Sequence, residues 1–270
     1  MNLEDNLPKI LPPKTDVVFK LLFGNERNSD ILIDFLKAVL RKNIESVKLL
    51  DPTLKPEHPD DKKGILDVKA ELDNGEKIDI EIQVRNIAEM RKRILYYNSR
   101  LLTEQIGAGE PYTLIKPAIS IIITDYPLIH ETDKCHNVFL WMEKDEHFVF
   151  DDLQEIHILH LSRVGKEEVP AVSDWVKFIG SDNEEDFIML AEKNSVIKKA
   201  FGELKLISAD KASRMLYEAR MKELHDAYAA EETARRQGLQ QGIQQGMQKM
   251  LDLLKKGISF AEAEKMIYAR

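Results

Sequence analysis

"ILDVKAELDNGEKIDIEIQV", residues 65–84, decides how the rest of the chain is read. Apolar residues fall at even numbers on both sides of Asn74-Gly75: Leu66, Val68, Ala70 and Leu72, then Ile78, Ile80, Ile82 and Val84. Successive side chains of a strand point to opposite faces, so each apolar set lines one face of a hairpin. Directly opposed residues share a face, and the numbers of each opposed pair must therefore sum to an even value. A two-residue loop at Asn74-Gly75 would oppose Asp73 with Glu76 and turn one apolar set to water, a slip that a one-sided strand pair resists. A three-residue loop, Asp73-Asn74-Gly75, removes the conflict. It suits a type I turn followed by Gly in the left-handed region.

That register also arranges the polar face. Glu71 opposes Lys77 and Lys69 opposes Asp79, complementary pairs that each support a sheet by roughly 0.2–1 kcal/mol. The next pair is Asp67 with Glu81, and directly opposed like charges destabilise. Two carboxylates whose β-carbons are about 5 Å apart can converge on one hard cation. Mg²⁺ takes one or two protein carboxylates and keeps several waters, which leaves room for a phosphate. The register equally allows the two acids to splay apart at a wet sheet edge, or one of them to be protonated. Gln83 follows on the same face, opposite Ile65.

Around this hairpin the chain reads as α/β. Pro12-Pro13 closes an extended leader, and Thr15 or Asp16 caps a helix, "DVVFKLLFG", that Gly24-Asn25 ends. Asn28 or Ser29 opens a second, "DILIDFLKAVLRK", with Ile31, Leu32, Phe35, Leu36 and Val39 at helical spacing. "IESVKLL" (44–50) reads as a short strand, and a polar loop runs on to Gly64. After the hairpin comes a helix from about Ala88 to Gln105, stopped by Gly107 and Gly109. "KPAISIIIT" (116–124) is a continuous apolar run, as in a strand buried on both faces. "NVFLWM" and "EIHILHL" are further strands. Trp141 and Trp175 read as core or interface residues. His157 and His160, three apart on a strand, face opposite ways and cannot share a metal.

From about Pro170 strand alternation gives way to long charged helices. The tail repeats "GLQQ GIQQ GMQK", with Gly238, Gly242 and Gly246 every four residues. Each internal Gly weakens a lone helix by about 1 kcal/mol relative to Ala, so this segment is expected to be frayed alone or helical against a partner. Ser259 and Glu262 form a capping box for a last short helix. The reading divides the chain into residues 1–165, a helical extension over 166–236, and a Gly/Gln-repeat tail over 237–270.

Composition narrows the function. The net charge of −8 and pI near 5.5 provide no whole-chain field for nucleic acid, so any such binding must come from a local patch. Such a patch exists between Val84 and Arg100, where Arg85, Arg91, Lys92, Arg93 and Arg100 face only Glu89. Arg93, Tyr97 and Arg100 fall at i, i+4 and i+7, on one helix face. That face can grip phosphates, or be an ordinary solvated face with Tyr97 half buried. The lone Cys135 excludes an intramolecular disulfide and a cysteine-cluster metal site. No signal-like or membrane-length apolar segment occurs, so the expectation is a cytoplasmic protein without a membrane partner.

At the hairpin the sequence resembles the PD-(D/E)XK nuclease superfamily, and within it the recombination-promoting nuclease/putative transposase family. The acidic residue of one strand matches Asp67 in "ILDVKA", and the acidic-x-Lys motif of the next matches Glu81-Ile82-Gln83 in "IEIQV". "TDVVFKLLFG", "RKRILYYNSRLLTEQIGAGEPY" and "AISIIITDYPL" resemble further family motifs, covering residues 14 to 165 well and the tail loosely. The motif's proline is absent, since Leu66 precedes Asp67, and Gln83 stands where the superfamily has lysine.

The resemblance implies a restriction-endonuclease-like αβββαβ core, a central mixed sheet flanked by helices, with a C-terminal helical extension. It implies a DNA endonuclease using Mg²⁺, with Mn²⁺ as a substitute. Asp67 and Glu81 would hold the metal, Gln83 would position water, and Arg93, Tyr97 and Arg100 would contact DNA. Asp16 is an accessory acid or simply the helix N-cap. The alternative is a DNA-binding or assembly protein with a degenerate nuclease core that acts through its helical tail. That tail is expected to self-associate or to dock on the chain's own core.

Overall fold

The protein is described by a computed structural model over residues 9–53, 66–86, 89–165 and 169–268. Ile65, Ala88 and most of the polar loop before Gly64 lie outside the described residues. The chain divides into two compact units, Met1–Tyr217 and Glu218–Arg270.

The first unit opens with α1 (Asp16–Phe23) and α2 (Ser29–Leu40). Thr15 occupies the N-cap position of α1 without a side-chain cap bond, and Asp16 lies in its first turn. Then come β1 (Val47–Leu50), β2 (Val68–Leu72) and β3 (Lys77–Gln83). α3 (Met90–Thr103) leads to β4 (Ala118–Thr124), followed by β5 (His136–Met142) and β6 (Val149–His160). The six strands form one mixed sheet in the order β1-β2-β3-β4-β6-β5. The expected α/β core is therefore present, preceded by two helices and extended by a β5–β6 hairpin whose second strand is longer than "EIHILHL".

The hairpin adopts the three-residue closure. Val68 opposes Ile80, Lys69 opposes Asp79, Ala70 opposes Ile78 and Glu71 opposes Lys77. Leu72 N–H donates to Glu76 O at 3.0 Å, Gly75 N–H donates to Leu72 O at 2.9 Å, and Gly75 has φ +89°. A residue with a Cβ would be strained at that φ, which explains the glycine.

β3 runs parallel to β4, and β4 parallel to β6. α3 is the crossover between β3 and β4, as a parallel pair requires. Gln83, Thr124 and His160 accordingly lie together at the carboxyl end of the sheet, the end at which open α/β sheets bind ligands. β2 is antiparallel to β3, so its beginning, next to Asp67, lies at that end too.

Both faces of the sheet are covered. On one, Val68, Ile78, Ile80, Ile82, Ile119 and Ile121 are almost wholly buried, and α1 and α2 pack on that side of the unit. Behind them come α4 (Pro170–Gly180), α5 (Glu184–Lys193) and α6 (Ser195–Ala209), which share the core of the same compact unit. Rings from three of these helices interlock: Phe23 stands 5.4 Å from Phe35 and 5.7 Å from Trp175, whose indole N–H donates to Asp34 at 2.9 Å. Trp175 is thus a core residue, whereas Trp141 on β5 is 59% exposed.

α3 covers the other face, where Met90 and Ile94 join Ile122, Leu128, Ile129 and Ile158 in one buried cluster. The hairpin's polar face is therefore a covered one. Lys69, Asp79 and Glu81 all point to the α3 side and are buried.

In the second unit α7 (Lys211–Lys255), which begins in the first, continues as helix through Gly238, Gly242 and Gly246. It is followed by α8 (Phe260–Tyr268). The capping box forms: Ser259 N–H donates to Glu262 at 3.3 Å and Glu262 N–H to Ser259 Oγ at 3.4 Å. No described helix is long and apolar enough to cross a membrane.

Candidate active site

The strand order brings Asp67 and Glu81 together at the carboxyl end of β3. Asp67 lies just before β2, and its own N–H donates to Glu81 Oε1 at 3.3 Å. In return Ile82 N–H donates to Asp67 Oδ2 at 2.9 Å. The two acids are thereby bound to each other's strands, and neither is splayed into solvent; the Asp67 side chain is 9% exposed and Glu81 4%. Gln83, two residues along the same face, donates from Nε2 to Glu81 Oε2 at 3.4 Å.

A third carboxylate stands beside them. Asp79 is 1% exposed; Ser120 Oγ donates to its Oδ2 at 3.5 Å, and Oδ1 has no hydrogen-bond partner. Lys69 opposes Asp79 as the sequence register requires and its charge acts on it, while its ammonium also pairs with Glu104 at the end of α3. Asp79 was nonetheless findable, because it lies two residues before Glu81 and therefore on the same face.

Crowding buried acids shifts their titration in one direction. Burial lifts the Asp67 carboxyl above its ordinary value, against hydrogen bonding from Ile82 and the charge of Lys20. Burial, and then the charge of Asp67, push Glu81 up to about 7. Asp79 is driven well above the usual carboxylate range by burial and by both acidic neighbours. Burial and mutual repulsion outweigh the cations that act on these three acids, so all three are shifted upward.

Among the described residues Lys69 acts on Asp79, and Lys20 and Arg93 act on the Asp67–Glu81 pair. Lys20 of α1 lies 2.9 Å from Asp67 Oδ1. Asp16, one turn earlier on α1, adds negative charge near Asp67, and so the accessory acid of the sequence reading stands close to the pair. Arg93 of α3 opposes the rise of Glu81 by its charge, and its guanidinium lies 5.1 Å from the centre of the Tyr97 ring. Arg93 is exposed, while Tyr97 and Arg100 are half-buried further along α3. Elsewhere on the basic stretch Arg91 is tied to Glu131 at 2.8 Å and Lys92 to Glu89 at 2.7 Å, which reduces the excess charge. Lys20 was missed in the sequence, where its only signal is the four-residue spacing from Asp16.

The histidines stand apart, as their spacing requires. His160 meets Thr124 Oγ1 at 3.1 Å on the α3 side, while His157 lies between His136 and Glu155, 2.8 Å from each, on the other.

The donor set suits a hard cation. Asp67 and Glu81 offer carboxylate oxygens from adjacent segments of the hairpin, and Asp79, two residues before Glu81, has a buried oxygen without a hydrogen-bond partner. Among the described residues no group of three or more His, Cys, Asp or Glu side chains is arranged to hold a metal ion. Mg²⁺ needs fewer, since one or two carboxylates and water complete its shell. A buried acid pair with raised pKa values, beside cations on the rim, can gather a divalent ion and present it to a phosphate.

A family model described as PD-(D/E)XK nuclease family transposase matches residues 13–234, which contain every residue named at the site. No curated protein and no solved structure matches the chain.

Proposed function

The chain belongs to the PD-(D/E)XK nuclease family transposases, and from that premise we propose that it is a divalent-metal-dependent DNA endonuclease acting in the cytoplasm. The observation that carries the reading is the reciprocal bonding of Asp67 and Glu81 across β2 and β3, which holds two buried like charges together. Such a pair is relieved by a shared proton or by a shared cation, and a divalent ion serves both carboxylates at once.

Asp67 and Glu81 would hold Mg²⁺, or Mn²⁺ in its place. When bound, the ion would supply Lewis-acid stabilisation of the phosphate and a more acidic water. Gln83, fixed on Glu81, orients the attacking water by hydrogen bonding and contributes no charge. Arg93, with Tyr97 and Arg100 behind it on α3, grips the DNA backbone and sets its position without reading sequence. In the hydrolysis one water oxygen replaces one ester oxygen on phosphorus. One of its protons ends on the released sugar hydroxyl and the other passes to solvent.

The test is supercoiled plasmid incubated with protein and Mg²⁺ or Mn²⁺. Nicking by the parent, lost in Asp67→Ala and in Glu81→Ala, is expected. A parent that leaves plasmid intact, or variants that cut as fast, would refute the assignment.

Gln83 in the lysine place favours a second reading, a nuclease fold retained for DNA binding and assembly. The tail supports the assembly part: Leu239, Ile243 and Met247 recur every four residues on α7 and are 63%, 56% and 64% exposed. Self-association through α7 predicts a smaller solution mass per particle once the chain is truncated after Arg236. An unchanged oligomeric state would remove it.

A further inference from the structure

The nuclease reading leaves one gap in its chemistry. At position 83 the chain has a neutral amide, so the positive charge that a lysine would bring to the scissile phosphate is missing from β3. Charge aimed at the oxygens where it develops is commonly the largest contribution to such a reaction.

Only a few described cations are near enough to supply it, and most are engaged elsewhere. Lys69 pairs with Glu104. Lys14 pairs at 2.9 Å with Asp125, the residue whose N–H donates to Gln83 O. Arg93 is exposed and stacked over Tyr97, on the α3 side of Glu81. Lys20 differs from all three. Its ammonium is 2.9 Å from Asp67 Oδ1, its side chain is 39% exposed, and it rises from α1 on the same helix face as Asp16. The rest of α1 is anchored, with Val18, Phe19, Leu22 and Phe23 fully buried. A rigid helix thus carries a flexible, solvent-reaching cation to the rim of the acid pair. Gln83 braces Glu81 on one side, and Lys20 touches Asp67 on the other.

Resting on the nuclease reading above, we propose that Lys20 supplies from α1 the phosphate-stabilising charge that position 83 lacks. Without divalent ion, its ammonium lies on Asp67. When a cation takes that carboxylate, Lys20 is released to a non-bridging oxygen of the scissile phosphate. It donates hydrogen bonds there and neither gains nor loses a proton, so the balance of the hydrolysis is unchanged.

The experiment compares the parent, Lys20→Met, Gln83→Lys and the double variant Lys20→Met/Gln83→Lys. Each is measured in plasmid nicking and, without DNA, in calorimetric Mg²⁺ titration. Lys20→Met is expected to lose about 100-fold in kcat with KM little changed. It should bind Mg²⁺ at least as tightly as the parent, because the competing ammonium is gone. The double variant should recover most of the lost rate, since the charge returns from β3.

Loss of Mg²⁺ affinity in step with activity would make Lys20 a positioning residue for Asp67 and overturn the proposal. A Lys20→Met protein that nicks at the parent's rate would also overturn it, and would leave the nuclease reading intact. So would a double variant as slow as Lys20→Met when Gln83→Lys alone is active. A parent that never nicks removes the nuclease reading itself, and this inference with it.

Discussion

The two halves of one hairpin treat charge in opposite ways. Near the turn carboxylates are matched by cations: Glu71 holds Lys77, and Glu76 holds Lys42 at 3.1 Å. Even Lys69, buried on the α3 side, finds Glu104. At the open end Asp67, Asp79 and Glu81 crowd together, with Lys20 touching one and Arg93 acting on another from the rim. Matched charges support a fold, whereas an uncompensated buried cluster costs stability and is retained where something must bind. On the proposed function the hairpin contains a scaffold half and a working half, separated by a few residues.

The largest effect that would break this comparison is on catalysis. Asp67→Asn and Glu81→Gln should each reduce nicking by about 1000-fold, the scale of losing a principal electrostatic group. Thermal unfolding without metal should show both variants at least as stable as the parent, because repulsion is relieved. If the variants melt well below the parent, the open end is a structural network like the turn end.

Next in size is the scaffold half. Lys69→Met leaves Glu104 without its ammonium and takes a positive charge from beside Asp79, so it should cost about 2 kcal/mol in denaturant unfolding. A cost near zero would mean that the pair is idle.

The pH profile comes third. Glu81 titrates near 7 in the folded chain and at an ordinary carboxylate value when unfolded. Between those values the folded state holds a proton that the unfolded state has lost. This contribution to stability is therefore fully present below about 4.5 and disappears as pH rises through 7. Metal-free parent protein should lose stability over that interval, and Glu81→Gln should lose less. Mg²⁺ should stabilise the parent more at pH 8 than at pH 6, since its binding displaces the Glu81 proton. A flat profile in the parent would count against a crowded acid site.

Smallest is the turn-end pair. Lys77→Ala should cost about 0.5 kcal/mol and leave nicking at the parent rate. A large loss of activity would dissolve the division between the halves.

Much of the site was legible because strand parity is rigid. Even-numbered apolar residues on both strands, with a glycine at position 75, admit one loop length, and that loop alone places Asp67 opposite Glu81. Asp79's place in the acid cluster was hidden for a physical reason. Lys69 opposes it as the register requires, but a lysine stem is long enough to serve a second acid, and Lys69 also reaches Glu104 on a helix whose docking no local pattern reveals. The burial of the polar face was hidden in the same way. α3 has a sparse apolar stripe, with Met90, Ile94 and Leu101 buried amid charged residues, so its sequence reads as a solvated helix.

Local chemistry in the chain determined the hairpin register, the like-charged pair, the parallel-strand run at Ala118–Thr124 and the helices on either side. Those follow from periods of two and 3.6 residues and from the φ freedom of one glycine. Only the tertiary structure decided that α3 covers the acids, that Asp79 joins them, and that Lys20 arrives from α1. These depend on contacts between elements far apart in the chain, and burial, which turns ordinary carboxylates into a cation-demanding site, exists only once those elements have packed.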